Sequence, residues 1–310
     1  MRTKRGFVLV CVLWVLAILT VVAVGYGQRA MLDRRAAAYS LDHTEAMMMA
    51  RAAVYRGVVA VKNKLRVAAA AAQFGGDVTY LGQAWAQPID LLETDIFDIK
   101  KEEYKNDTIT CTIIDLDRYI DINSVSEDFL ENVKPLSRTV IRKIMARRNG
   151  TEEGQEGPCA FRTIEELKYM DGMDEEDWYG KKGKPGIENL LTTWGDGKVN
   201  INTAPEAVLL CIPDLRKSAI EGILRYRAGP DGEVGTSDDG YLEPNKYFVG
   251  TNNVSNNDFT AIQLYCKFTS SFYKIKGVAT RRNGTVRAAC SAVVDGNGII
   301  CAWQEETLGS

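Results

Sequence analysis

The feature that most constrains this 310-residue chain is an uninterrupted apolar run from Phe7 to Val24. It is entered through Lys4-Arg5-Gly6 and left through Gly25-Tyr26-Gly27. At 1.5 Å rise per residue the run gives roughly 27 Å of helix, close to the ~30 Å hydrocarbon core of a bilayer. It is therefore expected to lie in a membrane. A secretory signal has a shorter apolar stretch, about 7–15 residues, that ends in small residues at a cleavage site. Here the small residue Gly6 precedes the run instead. Basic residues favour the cytoplasmic side, which puts Met1 to Arg5 inside and the chain beyond Gln28 outside.

Lys4-Arg5-Gly6 followed by Phe7 and a long aliphatic helix resembles the type IV prepilin leader. The resemblance implies cleavage after Gly6 by a prepilin peptidase and methylation of the new amino terminus, so Gly6 and Phe7 are the processing residues. Most members of that superfamily carry Glu at the fifth mature position, which here is Cys11. Loss of that Glu, with a soluble part much larger than an ordinary pilin, is similar to the K-type minor pseudopilin of type II secretion systems. A plain single-pass signal anchor is the alternative reading of the leader. The K-type resemblance implies an inner-membrane protein with most of its chain in the periplasm. Its implied partners are the I-type and J-type minor pseudopilins, the inner-membrane assembly platform and secreted cargo.

Charge is nearly balanced, 38 Lys and Arg against 41 Asp and Glu, so no global pull toward nucleic acid or acidic lipid is visible. Seven cysteines are too few for a disulfide scaffold. In the orientation above all but Cys11 would meet an oxidising compartment, where pairing is favoured. The only histidine is His43. A Ser-His-Asp hydrolase or a His-ligated zinc centre is thereby disfavoured, and the chain reads as non-enzymatic.

From Gln28 to Ala72 there is no proline and alanine, arginine and methionine dominate, so the membrane helix is expected to continue outward. Ala46, Met49, Ala50, Ala53, Val54, Gly57, Val58 and Val61 recur at helical spacing as a stripe fit to pack on a sheet. Met47 to Met49 read as core. The helix would be roughly 100 Å long, ended by Gln73-Phe74-Gly75-Gly76-Asp77.

Trp85-Ala86-Gln87-Pro88 leads to Ile96-Phe97-Asp98-Ile99 and then to Asp107–Asp115, where threonine alternates with apolar residues. The second run reads as a strand, paired with the first as a hairpin. The Asp-rich exit from Asp115 to Asn123, after the Trp-Ala-Gln-Pro entry, is also similar to the K-type pattern.

Between Asn123 and about Ala261 two segments resemble one another. Ile122-Asn123-Ser124 with Glu127, followed by Val140-Ile141 and Arg147, parallels Ile201-Asn202-Thr203 with Glu206, followed by Ala219-Ile220 and Arg225-Tyr226-Arg227. In each, a short polar residue is placed to cap a helix with an acid in its first turn. The units resemble the helix-hairpin-helix family, and Phe161–Leu167 resembles the helix that follows such a unit. That resemblance raises membrane-anchored DNA binding or uptake as an alternative. DNA-holding hairpins use Gly-X-Gly, whose amides approach a phosphate unobstructed. The turns here, Val133–Ser137 and Ile212–Arg216, lack those glycines, Asp214 brings the wrong charge, and acidic Glu152-Glu153 and Asp174–Asp177 flank the units. Nucleic acid is thus disfavoured.

Gly229–Gly240 holds Asp231, Glu233, Asp238 and Asp239 among turn-forming glycines. Hard oxygen donors on a tightly bent loop are what calcium requires, six to eight oxygens at about 2.3–2.6 Å. The spacing is not that of an EF-hand. Asp231, Glu233, Asp238 and Asp239 are the side-chain candidates, with Val234 and Thr236 offering backbone carbonyls; a solvated acidic loop is the alternative. The K-type resemblance implies structural calcium in the helical domain without placing its ligands.

From Phe272 the pattern returns to strands, 272–279, 285–294 and 298–303, separated by Arg282-Asn283-Gly284 and Asp295-Gly296-Asn297-Gly298. Cys290 and Cys301 flank the second turn and would lie opposite one another in an antiparallel pair, at a disulfide's separation. The expected fold is α+β: a long N-terminal helix on an antiparallel sheet, pilin-like, with a large inserted all-α domain. Its parts are a leader (1–6), a membrane segment (7–26), pilin-like chain (27–122), a helical insertion (123–262) and C-terminal strands (263–310). The function expected is a non-catalytic minor pseudopilin at the tip of the secretion pseudopilus.

Overall fold

The computed structural model describes residues 4–71, 77–92, 106–151, 157–244 and 253–307. Helix α1 runs unbroken over Lys4–Ala71, as its alanine-rich, proline-free sequence requires. Strands β1 (Ile89–Asp90), β2 (Thr108–Asp115) and β3 (Ile120–Asp121) follow. Next come α2 (Glu127–Glu131), α3 (Arg138–Asn149), a 3₁₀ turn at Ile164–Tyr169, and α4 (Glu175–Tyr179). Four two-residue strands come after them: β4 (Gly180–Lys181), β5 (Lys184–Pro185), β6 (Leu191–Thr192) and β7 (Val199–Asn200). Helices α5 (Glu206–Leu209), α6 (Lys217–Arg227) and α7 (Asn256–Tyr265) then lead to β8 (Cys266–Lys267). The chain closes with β9 (Phe272–Arg281), β10 (Val286–Asp295) and β11 (Ile300–Thr307).

One sheet, in the order β1-β2-β9-β10-β11 with antiparallel pairs throughout, lies against the outer half of α1. Strand β2 shows why: Ile109, Cys111 and Ile113 point inward and are buried, while Thr110 and Thr112 face out. From the helix, Ala46, Ala50, Ala53, Val54 and Val61 are fully enclosed. Met47 joins them, Met49 is half-buried, and Met48 is 60% exposed, so the methionine run is not all core: consecutive helical residues point about 100° apart. The strand expected at Ile96–Ile99 and the helix end at Gln73–Gly76 lie outside the described residues. The strand observed beside β2 is β1, which pairs Ile89 with Cys111.

The insertion has its own core, built from Phe129, Leu130, Ile144, Leu167, Leu190, Leu209 and their neighbours, separate from that under α1. The two sequence repeats are two copies of one structural unit. In the first, Asn123 donates to the carbonyls of Phe161 (3.0 Å) and Thr193 (3.1 Å) and accepts from the Phe161 amide (2.8 Å). In the second, Asn202 donates to the carbonyl of Leu242 (2.9 Å) and accepts from its amide (2.8 Å). Arg148 at the end of α3 donates to the Val125 carbonyl (2.7 Å), and Arg227 at the end of α6 donates to the Ala204 carbonyl (2.6 Å). Each unit is thus closed by one asparagine and one arginine, which pair backbone groups of the loops that flank its helices.

Capping follows the expectation in one unit only. Ser126 accepts from the Phe129 amide at α2. At α5 the cap position is held by Pro205, which has no side-chain acceptor, and the Thr203 hydroxyl donates to Asp115 instead. The segment after α3 is a 3₁₀ turn rather than an α-helix, with a Thr163–Glu166 capping box.

Cys290 and Cys301 are not opposite one another. Cys290 pairs with Glu305, and Cys301 is the extra residue where the register shifts between Val293–Ala302 and Val294–Ile300. Cys290 is buried under α1 and Cys301 is exposed, both as free thiols.

Candidate functional site

The chain leaves the sheet through Asp115–Asp117 and re-enters it through Lys267–Phe272, and these crossings meet in one buried polar cluster. Asp115 is enclosed; its Oδ2 accepts from the hydroxyls of Thr203 (2.5 Å) and Ser270 (2.6 Å) and from Asn200 Nδ2 (3.2 Å), and its Oδ1 from the Asp117 amide (2.9 Å). Asn200 also donates to the Thr79 carbonyl (3.1 Å) and Ser270 Oγ (2.7 Å). Asp117 accepts from the amides of Ser271 and Phe272 and pairs through Oδ1 with the Lys267 ammonium at 2.8 Å. Lys267 also reaches Asp196 at 3.0 Å. From α1, Lys64 donates to Thr79 Oγ1 (2.5 Å) and to the Tyr273 hydroxyl.

Burial sets the electrostatics. It raises the Asp115 carboxyl and lifts that of Asp117 to about 6, the Lys267 ammonium pulling the latter the other way. Burial likewise lowers Lys64 and raises the Tyr273 phenol. A carboxylate with three or more donors is tolerable in such a setting because each lone pair is used. The cluster therefore fixes the insertion on the end of α1 with directional bonds rather than apolar contact alone.

The acidic loop packs against the segment before β1. Gln87 donates to the Gly235 carbonyl (2.5 Å), and the rings of Tyr80 and Tyr241 stack at 4.5 Å. Within it, Asp231 Oδ1 accepts from the Glu233 amide (2.8 Å) and Asp238 Oδ1 from the Thr236 hydroxyl (2.6 Å). Asp239 accepts from the amides of Gly235 (2.8 Å) and Thr236 (3.3 Å). The Asp238 carboxyl is held below its usual range, first by Thr236 and further by the Asp231 amide and side chain. The loop thus brings Asp231, Thr236 and Asp238 together; Asp239 is engaged with loop amides, and Val234 is 48% exposed. Among the described residues no three acidic, His or Cys side chains converge as a metal-holding group. The donors that do meet are hard oxygens, the kind calcium takes, and the rest of its shell would have to come from carbonyls and water.

Gly6 and Phe7 both lie in the first turns of α1, and Phe7 is exposed. Cys11 is also exposed, within the one helix among the described residues long and apolar enough to cross a membrane. His43 stacks on Tyr39 at 6.4 Å. In the second hairpin turn Asp214 occupies the left-handed region (φ 59°), where a phosphate-binding turn would carry glycine.

A membrane-length helix whose outer half packs on an antiparallel sheet, carrying a helical insertion between β2 and β9, is a pilin-like architecture. Among solved structures, a chain in the crystal structure of the GspK-GspI-GspJ complex from the enterotoxigenic Escherichia coli Type 2 Secretion System is similar. Its TM-score is 0.55 and its identity 10%, over 86% of this chain and 98% of that one. No protein-family model matches the sequence, and no curated protein matches it.

Proposed function

We propose that this chain is a non-enzymatic minor pseudopilin of a type II secretion system, anchored by α1 in the inner membrane with its sheet and helical insertion in the periplasm. It occupies the tip of the pseudopilus beside I-type and J-type partners, starts assembly on the inner-membrane platform and supports export of cargo. The observation that carries the reading is the likeness in fold, over 86% of this chain and 98% of the other, to a chain of a complex whose name contains two other subunits. The leader supports it: Gly6-Phe7 is the cut expected for prepilin peptidase, with methylation at Phe7. Calcium in the Asp231–Asp239 loop is part of the proposal, held by Asp231, Glu233, Asp238 and Asp239 with the carbonyls of Val234 and Thr236.

The tip position follows from Cys11. A carboxylate at the fifth mature position would neutralise the ammonium of the subunit ahead, a pairing valuable in lipid because an isolated charge there is costly. Cys11 has no such charge, and a subunit with none ahead needs none. Crosslinking along isolated pseudopili is expected to find this chain once, at one end, and Cys11→Glu to be neutral or mildly harmful to secretion. Repeated copies along the shaft, or a secretion gain from Cys11→Glu, would refute the tip assignment.

A further inference from the structure

Between the apolar span and the first contact with the sheet, α1 crosses a stretch, Gln28 to Leu41, in which every residue but Ala38 is exposed. Three arginines stand in it, Arg29, Arg34 and Arg35, against a single acid, Asp33. Among the described residues none of the three arginines has an ion-pair partner. Basic residues are ordinarily sparse on the outer flank of a span, so their presence here marks a site that uses positive charge.

Their placement decides what the charge meets. At 100° per residue Arg34 and Arg35 lie about 140° and 240° around the axis from Arg29, so the three point to three sides of the helix. One protein surface could face only one of them; a medium that surrounds the helix faces all. Height agrees. Arg29 is roughly 7.5 Å past Val24 and Arg34 and Arg35 roughly 15–17 Å, while the headgroup layer fills about the first 5–8 Å outside the hydrocarbon. Helical side chains lean toward the N-terminus, here toward the bilayer, and long arginine stems carry their charge down with them. All three guanidiniums thus come within about a Debye length, ~8 Å at physiological salt, of the lipid phosphates. Tyr26, 72% exposed and one turn before Arg29, is the amphipathic ring that belongs at that boundary.

We infer that Arg29, Arg34 and Arg35 form a collar that gathers anionic phospholipids of the outer leaflet and sets the depth at which α1 sits. The inference rests on the reading of α1 as a membrane anchor and adds the lipid class and the residues that select it.

The test reconstitutes the full chain into vesicles of equal parts phosphatidylcholine and phosphatidylglycerol. Flotation with the vesicles scores anchoring. Native mass spectrometry after mild detergent extraction then counts the lipids of each class that stay bound. The native chain is expected to retain phosphatidylglycerol in excess. Changing Arg29, Arg34 and Arg35 together to Gln should cut that excess about fivefold, and changing them together to Lys should keep most of it. Arg138, Arg142 and Arg225 are exposed on the insertion; changing those three to Gln removes the same charge and should leave the excess intact. Neither Gln triple should move the melting curve, and salt near 1 M, where the Debye length is ~3 Å, should abolish the excess. Equal retention of the two lipids by the native chain overturns the inference. So does an excess that survives the collar triple, or one that falls equally with the insertion triple. A chain that fails to float overturns the anchor reading and the collar with it.

Discussion

Gly277 of β9 lies directly beneath Ala50 of α1: a Cβ added to Gly277 would run into the Ala50 carbonyl and stand 2.9 Å from the Ala53 Cβ. Gly57 makes the reciprocal approach from the helix, its absent Cβ pointing at Ile275 and, 2.9 Å away, at Cys111 Sγ. Small residues on both sides let helix and sheet meet at backbone distance. Gly277→Ala is expected to destabilise the protein by about 1–3 kcal/mol through overpacking. Gly25→Ala, with nothing within 4 Å, should be neutral or slightly stabilising. Thermal melting of the two variants side by side checks the contrast, and equal midpoints would contradict it.

At the domain joint, Thr203→Val removes one hydroxyl donor from enclosed Asp115 and keeps the side-chain shape. The carboxylate is left short of a partner, at a cost of about 1–3 kcal/mol. Asn200→Ala removes donors to Asp115, Thr79 and Ser270 together and should cost more. Denaturant titration ranks the two, and a Thr203→Val midpoint equal to that of the native chain would remove the joint from the list of stabilising features.

The joint also gives stability a pH dependence. Asp117 titrates near 6 in the folded protein, and burial shifts Asp115 and Asp121 the same way. Carboxyls whose folded pKa exceeds the unfolded value of ~4 take up protons on folding, so their penalty is full above the folded pKa and gone below the unfolded one. Lowering the pH from 7.5 to 5 is therefore expected to raise the denaturation midpoint. Asp258, held low despite its burial by Arg216 and Ser255, works in the opposite sense only below ~4. In Asp117→Asn the rise between pH 7.5 and 5 should shrink; an unchanged slope would place the titrating group elsewhere.

For the acidic loop, a chelator or the double change Asp231→Asn and Asp238→Asn is expected to lower the melting temperature. Calcium a hundredfold above its Kd would stabilise the folded state by about 2.7 kcal/mol. The chelator should have no effect on the double variant. Equal melting of the native chain with and without calcium would mean the loop is held by its own amides alone.

Periodic elements were legible in the sequence, and long-range ones were not. The α1 stripe follows from one period. The C-terminal meander follows from its turns, with Arg282 and Asn283 in the left-handed region (φ 51° and 56°). The Cys290–Cys301 pairing failed because counting outward from a turn ignores both the true register and the bulge at Cys301. The repeat was visible in Asn123 and Asn202, yet the backbone groups they close lie well downstream of each. In the sequence Asp115 only ends the Thr-rich strand, and Asn200 and Ser270 belong to no motif. Only the folded chain shows that they meet, because nothing in the spacing of three distant polar residues marks them as neighbours.

The uninterrupted α1 sets where this molecule bends. Past Ala46 the helix is clamped along the sheet and, through Lys64, to the joint, so helix, sheet and insertion turn as one stiff body. Below it, Gly25 and Gly27 have no neighbour within 4 Å and are the weakest helix formers between span and domain. Bending compliance is concentrated between the apolar span and the sheet, as in a gimbal: the outer body can tilt while the helix rise keeps its distance from the span fixed.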